Sequence, residues 1–233
     1  IVVGVPGDSS GASSGGAAYI YEKNGSNWST ADVRKLIPSD SAANTDFGVA
    51  VSIYDDLIVV GDSRNGANGT NSGAAYVYTR SGDNWIDSPP IEVKLTASDA
   101  SSNTYFGGSV STNGSEIVVG SHQAHEFGTG TGAAYLYSRN GADWNSLPPD
   151  EIKLTGSAAY DYFGTSVSLS DQQLVVGSPG AGDAGSIFIY SKGGADWDTS
   201  TMTVTMESIN STESLSFGDT VAISGSTIAA GVP

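Results

Sequence analysis

One pattern of apolar and polar positions recurs along the chain. An aliphatic run ending in glycine stands at Ile1–Gly4, Ile58–Gly61, Ile117–Gly120, Leu174–Gly177 and Ile228–Gly231. A Gly-x-x-aromatic-aliphatic-Tyr string follows at Gly16–Tyr21, Gly73–Tyr78, Gly132–Tyr137 and Gly185–Tyr190. Phe-Gly pairs begin at Phe47, Phe106, Phe163 and Phe217, and Trp stands at 28, 85, 144 and 197, at intervals of 57, 59 and 53 residues. Four markers on one period define a structural repeat.

Each repeat predicts four short strands. In the second they are Val49–Ile53, Leu57–Val60, Ala74–Tyr78 and Ile91–Leu95, termed A to D. Strand C alternates small, aromatic and aliphatic residues, as a packed strand does. Strand B is nearly all apolar, which predicts cover on both faces. Turn signals separate the strands: Asp55-Asp56 after A, Asn-Gly or Ser-Gly after C, Pro89-Pro90 before D. No window has helical spacing. The expected fold is therefore all-β, a β-propeller of four-stranded antiparallel blades with about four repeats present. Phe of each Phe-Gly and the Trp are the expected wedges between blades, and the Gly after Phe lets backbones approach closely.

The domain assignment is one propeller segment, 1–233, with repeats starting near 47, 106, 163 and 217, and with 1–46 the rest of a preceding repeat. The chain starts in mid-pattern, at Ile1, as a piece of something longer would. Ile1–Pro6 and Ile228–Pro233 share one phase of the repeat. They would compete for one slot in a closed four-bladed ring, so the expected parent is a larger propeller, with an open stack or multi-chain arrangement as the alternative.

These residues resemble the FG-GAP repeat family, which builds integrin α-subunit propellers and many bacterial surface proteins. The FG is Phe47-Gly48 and its counterparts; the GAP position reads Gly4-Val5-Pro6, Gly61-Asp62-Ser63, Gly120-Ser121-His122, Gly177-Ser178-Pro179 and Gly231-Val232-Pro233. The Gly-Ala-Ala-Tyr strings, the Trp and Lys94–Asp99 are most like the microbial branch. The resemblance implies a seven-bladed-like parent, an extracellular or cell-surface location and integrin-like adhesion. It also implies a calcium loop between A and B. The A–B connections here, such as 52–56 and 111–115, lack the converging carboxylates that calcium needs, so that site is not carried over.

Composition narrows the function. The 233 residues include 31 Gly and no Cys, with 25 Asp+Glu against 9 Lys+Arg, a net charge of −16. Such a surface does not attract nucleic acid. No apolar run is long enough for a membrane-inserted helix, and without Cys neither disulfides nor Cys-ligated zinc exist.

Lys23, Arg80, Arg139 and Lys192 share one phase after strand C, and Lys35, Lys94 and Lys153 another in strand D. That regularity predicts a structural task, pairing with acids or stacking near Trp. Candidate metal ligands are Asp40, Asp46, Asp99, His122 and His125: carboxylates suit calcium, and the His122–Glu126 stretch suits a transition metal. Ordinary turn chemistry is the competing explanation for the Asp residues, and a plain polar loop for the histidines. Candidate partner-binding loop residues are Asp8, Asp62, Arg64, His122, His125 and Asp183. Asn24, Asn27, Asn68, Asn113 and Asn210 open Asn-x-Ser/Thr sequons, which loops would expose to glycosylation in a eukaryotic source.

No nucleophile elbow or acid/base pair with useful geometry is present, so hydrolase chemistry is the least supported function. The expected function is a non-catalytic recognition or adhesion module that binds a protein or glycan through loops on one face. The alternative is a structural segment of a surface filament, sheath or appendage that binds copies of itself.

Overall fold

In the computed structural model the chain is described for residues 1–233 apart from 26, 140–143, 145–148, 195–196, 198–201 and 209–215. Among the described residues there is no helix, and seventeen strands form five antiparallel sheets. The first sheet has β1 (Val2–Val5), β2 (Ala17–Asn24) and β3 (Asn27–Leu36). The second has β4 (Val51–Tyr54), β5 (Leu57–Asp62), β6 (Ala74–Thr79) and β7 (Ile91–Leu95). The third has β8 (Ser109–Thr112), β9 (Glu116–Ser121), β10 (Ala133–Ser138) and β11 (Asp150–Thr155). The fourth has β12 (Ser166–Leu169), β13 (Gln173–Ser178), β14 (Ser186–Ser191) and β15 (Met202–Glu207). The fifth has β16 (Thr220–Ser224) and β17 (Thr227–Gly231). In every sheet neighbours in sequence are neighbours in space, and the three four-stranded meanders are consistent with propeller blades.

The strands fall where the repeat places them, with two differences. Strand A of the second repeat begins at Val51 rather than Val49, because Val49 is held in a turn by its N–H to Asp46 O. In the first sheet the connection before strand D is a tight hairpin around Gly25, not a long Pro-rich loop, so Trp28 lies within β3.

Junctions between sheets repeat one arrangement. One face of the second sheet (Ile58, Val60, Ala74, Tyr76, Tyr78 and Trp85) packs on Ala18, Ile20 and Leu36 of the first. Its other face (Leu57, Val59, Ala75 and Val77) receives Phe106, Tyr135, Tyr137 and Trp144 of the third. Large rings thus meet small and aliphatic side chains at each junction, which fills volume without voids. Phe106 is fully buried and sits edge-on to Tyr135 and Tyr137, at 5.3 and 6.2 Å. Full burial of one such ring contributes about 2–3 kcal/mol.

Two backbone devices join the sheets. Gly73 makes a parallel bridge to Phe106, as do Gly16 to Phe47, Gly132 to Phe163 and Gly185 to Phe217. A β-carbon at Gly73 would lie 1.9 Å from Phe106 O, so no other residue fits. The inner strands β4, β8, β12 and β16 lie side by side in order, stitched by serines. Ser52, Ser111 and Ser168 Oγ accept the N–H groups of Thr112, Leu169 and Ile223 at 3.2, 3.0 and 3.0 Å.

Candidate functional site

The loops that follow β1, β5, β9 and β13, and the linkers that enter the next sheet, meet on one side of the molecule. Asn44 N–H donates to Ser13 O at 2.9 Å, Asn103 N–H to Thr70 O at 2.7 Å, and Tyr160 N–H to Thr129 O at 2.9 Å. Each linker therefore docks on the preceding loop, and the backbone presents a firm surface.

The three residues in those linkers share one phase and one conformation. Asn44, Asn103 and Tyr160 have φ of 61°, 63° and 68°. Asn tolerates this left-handed region, whereas a bulky ring there is an outlier. Tyr160 is nonetheless 58% exposed. In the facing loop, Asn68 N–H donates to Ser72 Oγ, and at the equivalent place Phe127 N–H donates to Thr131 Oγ1. Phe127 is 62% exposed. The loop tips touch, since a β-carbon on Gly128 would lie 3.0 Å from Ala159 Cβ. At this one junction, then, exposed rings stand where the preceding junction has Asn68 and Asn103. Tyr162, which packs edge-on to Tyr160, and Tyr105, which stacks on His122 at 5.6 Å, extend the aromatic character.

The polar candidates are employed within the repeat. Tyr76 OH and Lys94 Nζ donate to Asp40 at 2.6 Å each; Tyr135 OH and Lys153 Nζ donate to Asp99 at 2.7 and 2.6 Å. Burial raises both carboxyls, but these donors outweigh it and hold them below the usual carboxylate range. In the first sheet Asp8 takes this part, accepting from Lys35, Tyr19 OH and Ser10 N–H, and its carboxyl is held well down, chiefly by Lys35. Asp62 accepts Asp46 N–H at 2.8 Å, and Arg64 Nε pairs with Asp46 at 3.1 Å. Burial pushes Asp62 up, partly offset by Asn65 and the Asp46 amide.

The lysines behave as their phase predicts. Lys35, Lys94 and Lys153 each lie over a strand-C Tyr, and Lys23 and Lys192 lie 5.7 Å from the rings of Trp28 and Trp197.

The two histidines diverge. Burial lowers the pKa of His122, which stacks on Tyr105, while His125 is exposed beside a small polar hollow of about 230 Å³ formed with Asp99, Glu126 and Lys153. Among the described residues no group of three or more His, Asp or Glu is placed to hold a metal ion. Asp183 is exposed.

The sequons are not all in loops. Asn24 ends β2 and Asn27 begins β3. Asn68 is exposed, whereas Asn113 is buried, its Nδ2 donating to Glu116 Oε2 and Ser170 O. Asn210 lies outside the described residues.

Phe127 and Tyr160 are not among the residues singled out from sequence. The signal was present: laid over the second repeat, the third has Phe127 in place of Asn68 and Tyr160 in place of Asn103.

Three stretches, 30–78, 91–137 and 150–190, match the profile of the FG-GAP repeat, together more than half of the chain. No curated protein matches the chain.

Proposed function

The chain belongs to the FG-GAP repeat family, and on that basis we propose that it is a non-catalytic recognition module of an extracellular or cell-surface protein, part of a larger propeller. Its ligand is a protein or glycan, held by the loop face at the junction of the third and fourth sheets. FG-GAP repeats occur in adhesion and surface proteins and are generally non-catalytic. No helix among the described residues is long and apolar enough to cross a membrane.

The observation that carries this reading is Tyr160, an exposed ring held at φ 68° where the first and second linkers place Asn44 and Asn103. Strain of this kind costs on the order of 1–3 kcal/mol and persists at sites where it serves a purpose. Beside it stands Phe127. Rigid aromatic rings amid Ser, Thr, Gly and Asn are what recognition loops use, since rings bury much area with little loss of side-chain freedom.

The test is binding of the chain to arrayed glycans and to an arrayed set of cell-surface proteins. The Phe127→Ser, Tyr160→Asn double variant should lose affinity about tenfold or more. Its melting temperature should not fall, because both rings are exposed and Asn suits the backbone. A ligand bound equally well by the double variant would overturn the assignment of the site.

A further inference from the structure

The loop after β5 holds a cluster that the recognition site does not use. Asn65 is buried there, with both polar atoms of its side chain engaged. Its Oδ1 accepts Ala67 N–H at 3.1 Å and Lys94 Nζ at 3.0 Å. Its Nδ2 donates to Asp62 Oδ2 at 3.0 Å and to Tyr76 OH at 3.1 Å. Asp62 and Tyr76 are buried as well. Lys94 Nζ also donates to Asp40 Oδ2 at 2.6 Å, and Tyr76 OH to Asp40 Oδ1 at 2.6 Å. An amine thus touches a carboxamide, and hydrogen bonds run from that amine through Asp40 and Tyr76 to the amide nitrogen.

The set is peculiar to one repeat. The strand-C rings Tyr19, Tyr76 and Tyr135 stand opposite Lys35, Lys94 and Lys153, and Phe188 stands opposite Thr205. The phase of Asn65 holds Asp8, Ala124 and Ala181 in the other three loops, and that of Asp62 holds Val5, Ser121 and Ser178. A lysine anchor needs only an acid, as Lys35 shows with Asp8, and Lys153 with Asp99 and Glu126. Only in the second repeat do a carboxamide and a second, buried carboxylate join it.

We propose that Lys94 and Asn65 join in an isopeptide bond that the folded chain makes by itself. Lys94 Nζ attacks Asn65 Cγ while one of its protons passes through Asp40 and Tyr76 to Nδ2. Ala67 N–H holds the carbonyl oxygen while that atom carries negative charge, and the Asp62 carboxylate steadies the positive charge that gathers on Nδ2. The Nζ–Cγ bond forms, the Cγ–Nδ2 bond breaks and the carbonyl re-forms. The leaving ammonia takes a second Nζ proton and departs as ammonium. One carboxamide and one lysine ammonium become one secondary amide and one ammonium ion, so atoms and charge balance and no co-reactant is needed. The fold supplies what the same groups lack in solution, namely contact in a fixed orientation. Phe47, edge-on to Tyr76 at 5.3 Å, helps to keep water from competing. The bond ties the edge strand β7 to the loop after β5, across β6, between positions 29 apart in sequence. A chain without Cys gains in this way the covalent constraint that a disulfide gives elsewhere.

The test is the intact mass of the purified 233-residue chain, with tryptic peptide mapping. The chain should be lighter than its sequence by one ammonia. Peptide 65–80 should be found joined to peptide 81–139, with no cleavage after Lys94. A succinimide closed within Asn65-Gly66 loses ammonia too, but it leaves peptide 65–80 unlinked. Lys94→Arg keeps the charge and cannot form the bond, so it should have its full sequence mass and melt lower than the wild type. Tyr76→Phe keeps the ring and breaks the relay, so most of it should remain unlinked. A wild-type chain of full sequence mass, or an ammonia deficit that persists in Lys94→Arg, would overturn the proposal. A fully linked Tyr76→Phe would overturn the relay.

Discussion

Gly61 lies directly against the backbone of Gly107 in the next sheet: a β-carbon at Gly61 would fall 2.0 Å from Gly107 O. Gly107 in turn donates its N–H to Gly120 O of its own sheet at 3.0 Å. Gly4 against Gly48, Gly120 against Gly164 and Gly177 against Gly218 repeat the contact at 1.9, 2.0 and 1.9 Å. Both halves of the repeat signature thus have one cause. The Phe fills the junction, and the two glycines let backbone touch backbone beside it.

Gly61→Ala should consequently be among the most damaging single changes available. The obstacle is the backbone carbonyl of Gly107, in the turn that leads into β8 and anchored by its own N–H to Gly120 O, which cannot step aside as a side chain would. The expected loss is about 3 kcal/mol or more, at the severe end of point substitutions. Gly7→Ala, where nothing lies within 4 Å, should be nearly neutral. Thermal melts of the two variants side by side check the claim.

The buried pair of Glu116 and Lys192 joins the third sheet to the fourth. Glu116 Oε2 also accepts Asn113 Nδ2 at 2.7 Å. Removing one charge leaves the other unpaired in a site with little water, so Glu116→Gln should cost about 3 kcal/mol. Glu116→Gln with Lys192→Met should recover much of that loss. A double-mutant cycle of denaturant unfolding measures the coupling; additive losses would contradict it.

Asp40 and Asp99 set the acid limit. Both carboxyls are held below their unfolded value of about 3.9. A depressed carboxyl contributes stability above its unfolded pKa and loses it as pH falls through the folded one. The chain should therefore keep its neutral stability down to about pH 4 and lose it below. Asp40→Asn with Asp99→Asn should melt lower at neutral pH and show a shallower decline under acid. The effect is modest, because both side chains are about half exposed and solvent screens them. Melting temperature against pH for the two proteins is the measurement.

What the sequence disclosed was whatever each repeat carries alike. Period, strand order, Phe and Trp wedges and the structural duty of the lysines all follow from identical phases. Ser52, Ser111 and Ser168 were equally periodic, yet a serine in a Ser-rich chain gives no sign that its hydroxyl reaches the neighbouring sheet. Trp28 and Asn24 were misplaced because the first repeat lacks the Pro-Pro turn and closes strands C and D by a tight hairpin. Phe127 and Tyr160 were missed because neither phase holds one residue type through all four repeats; the exposure of both rings and the left-handed φ of Tyr160 are visible only in the structure.

The sequons make a last, separate test of which asparagines are free. Asn68 lies in an exposed loop, and its backbone N–H, not its side chain, makes the Ser72 contact. Asn113 spends Nδ2 on Glu116 and on Ser170 O, while its Oδ1 accepts the N–H groups of Ser115 and Glu116 at 3.1 and 2.8 Å. A glycan on that nitrogen would replace one of its two hydrogens, so at least one of the two donated bonds is lost, at a side chain buried away from solvent. Expressed through a glycosylating secretory route, the folded chain should carry sugar at Asn68 and none at Asn113, as read by peptide mass mapping. Occupancy at Asn113 in folded protein would mean that this inner hairpin is not built as described.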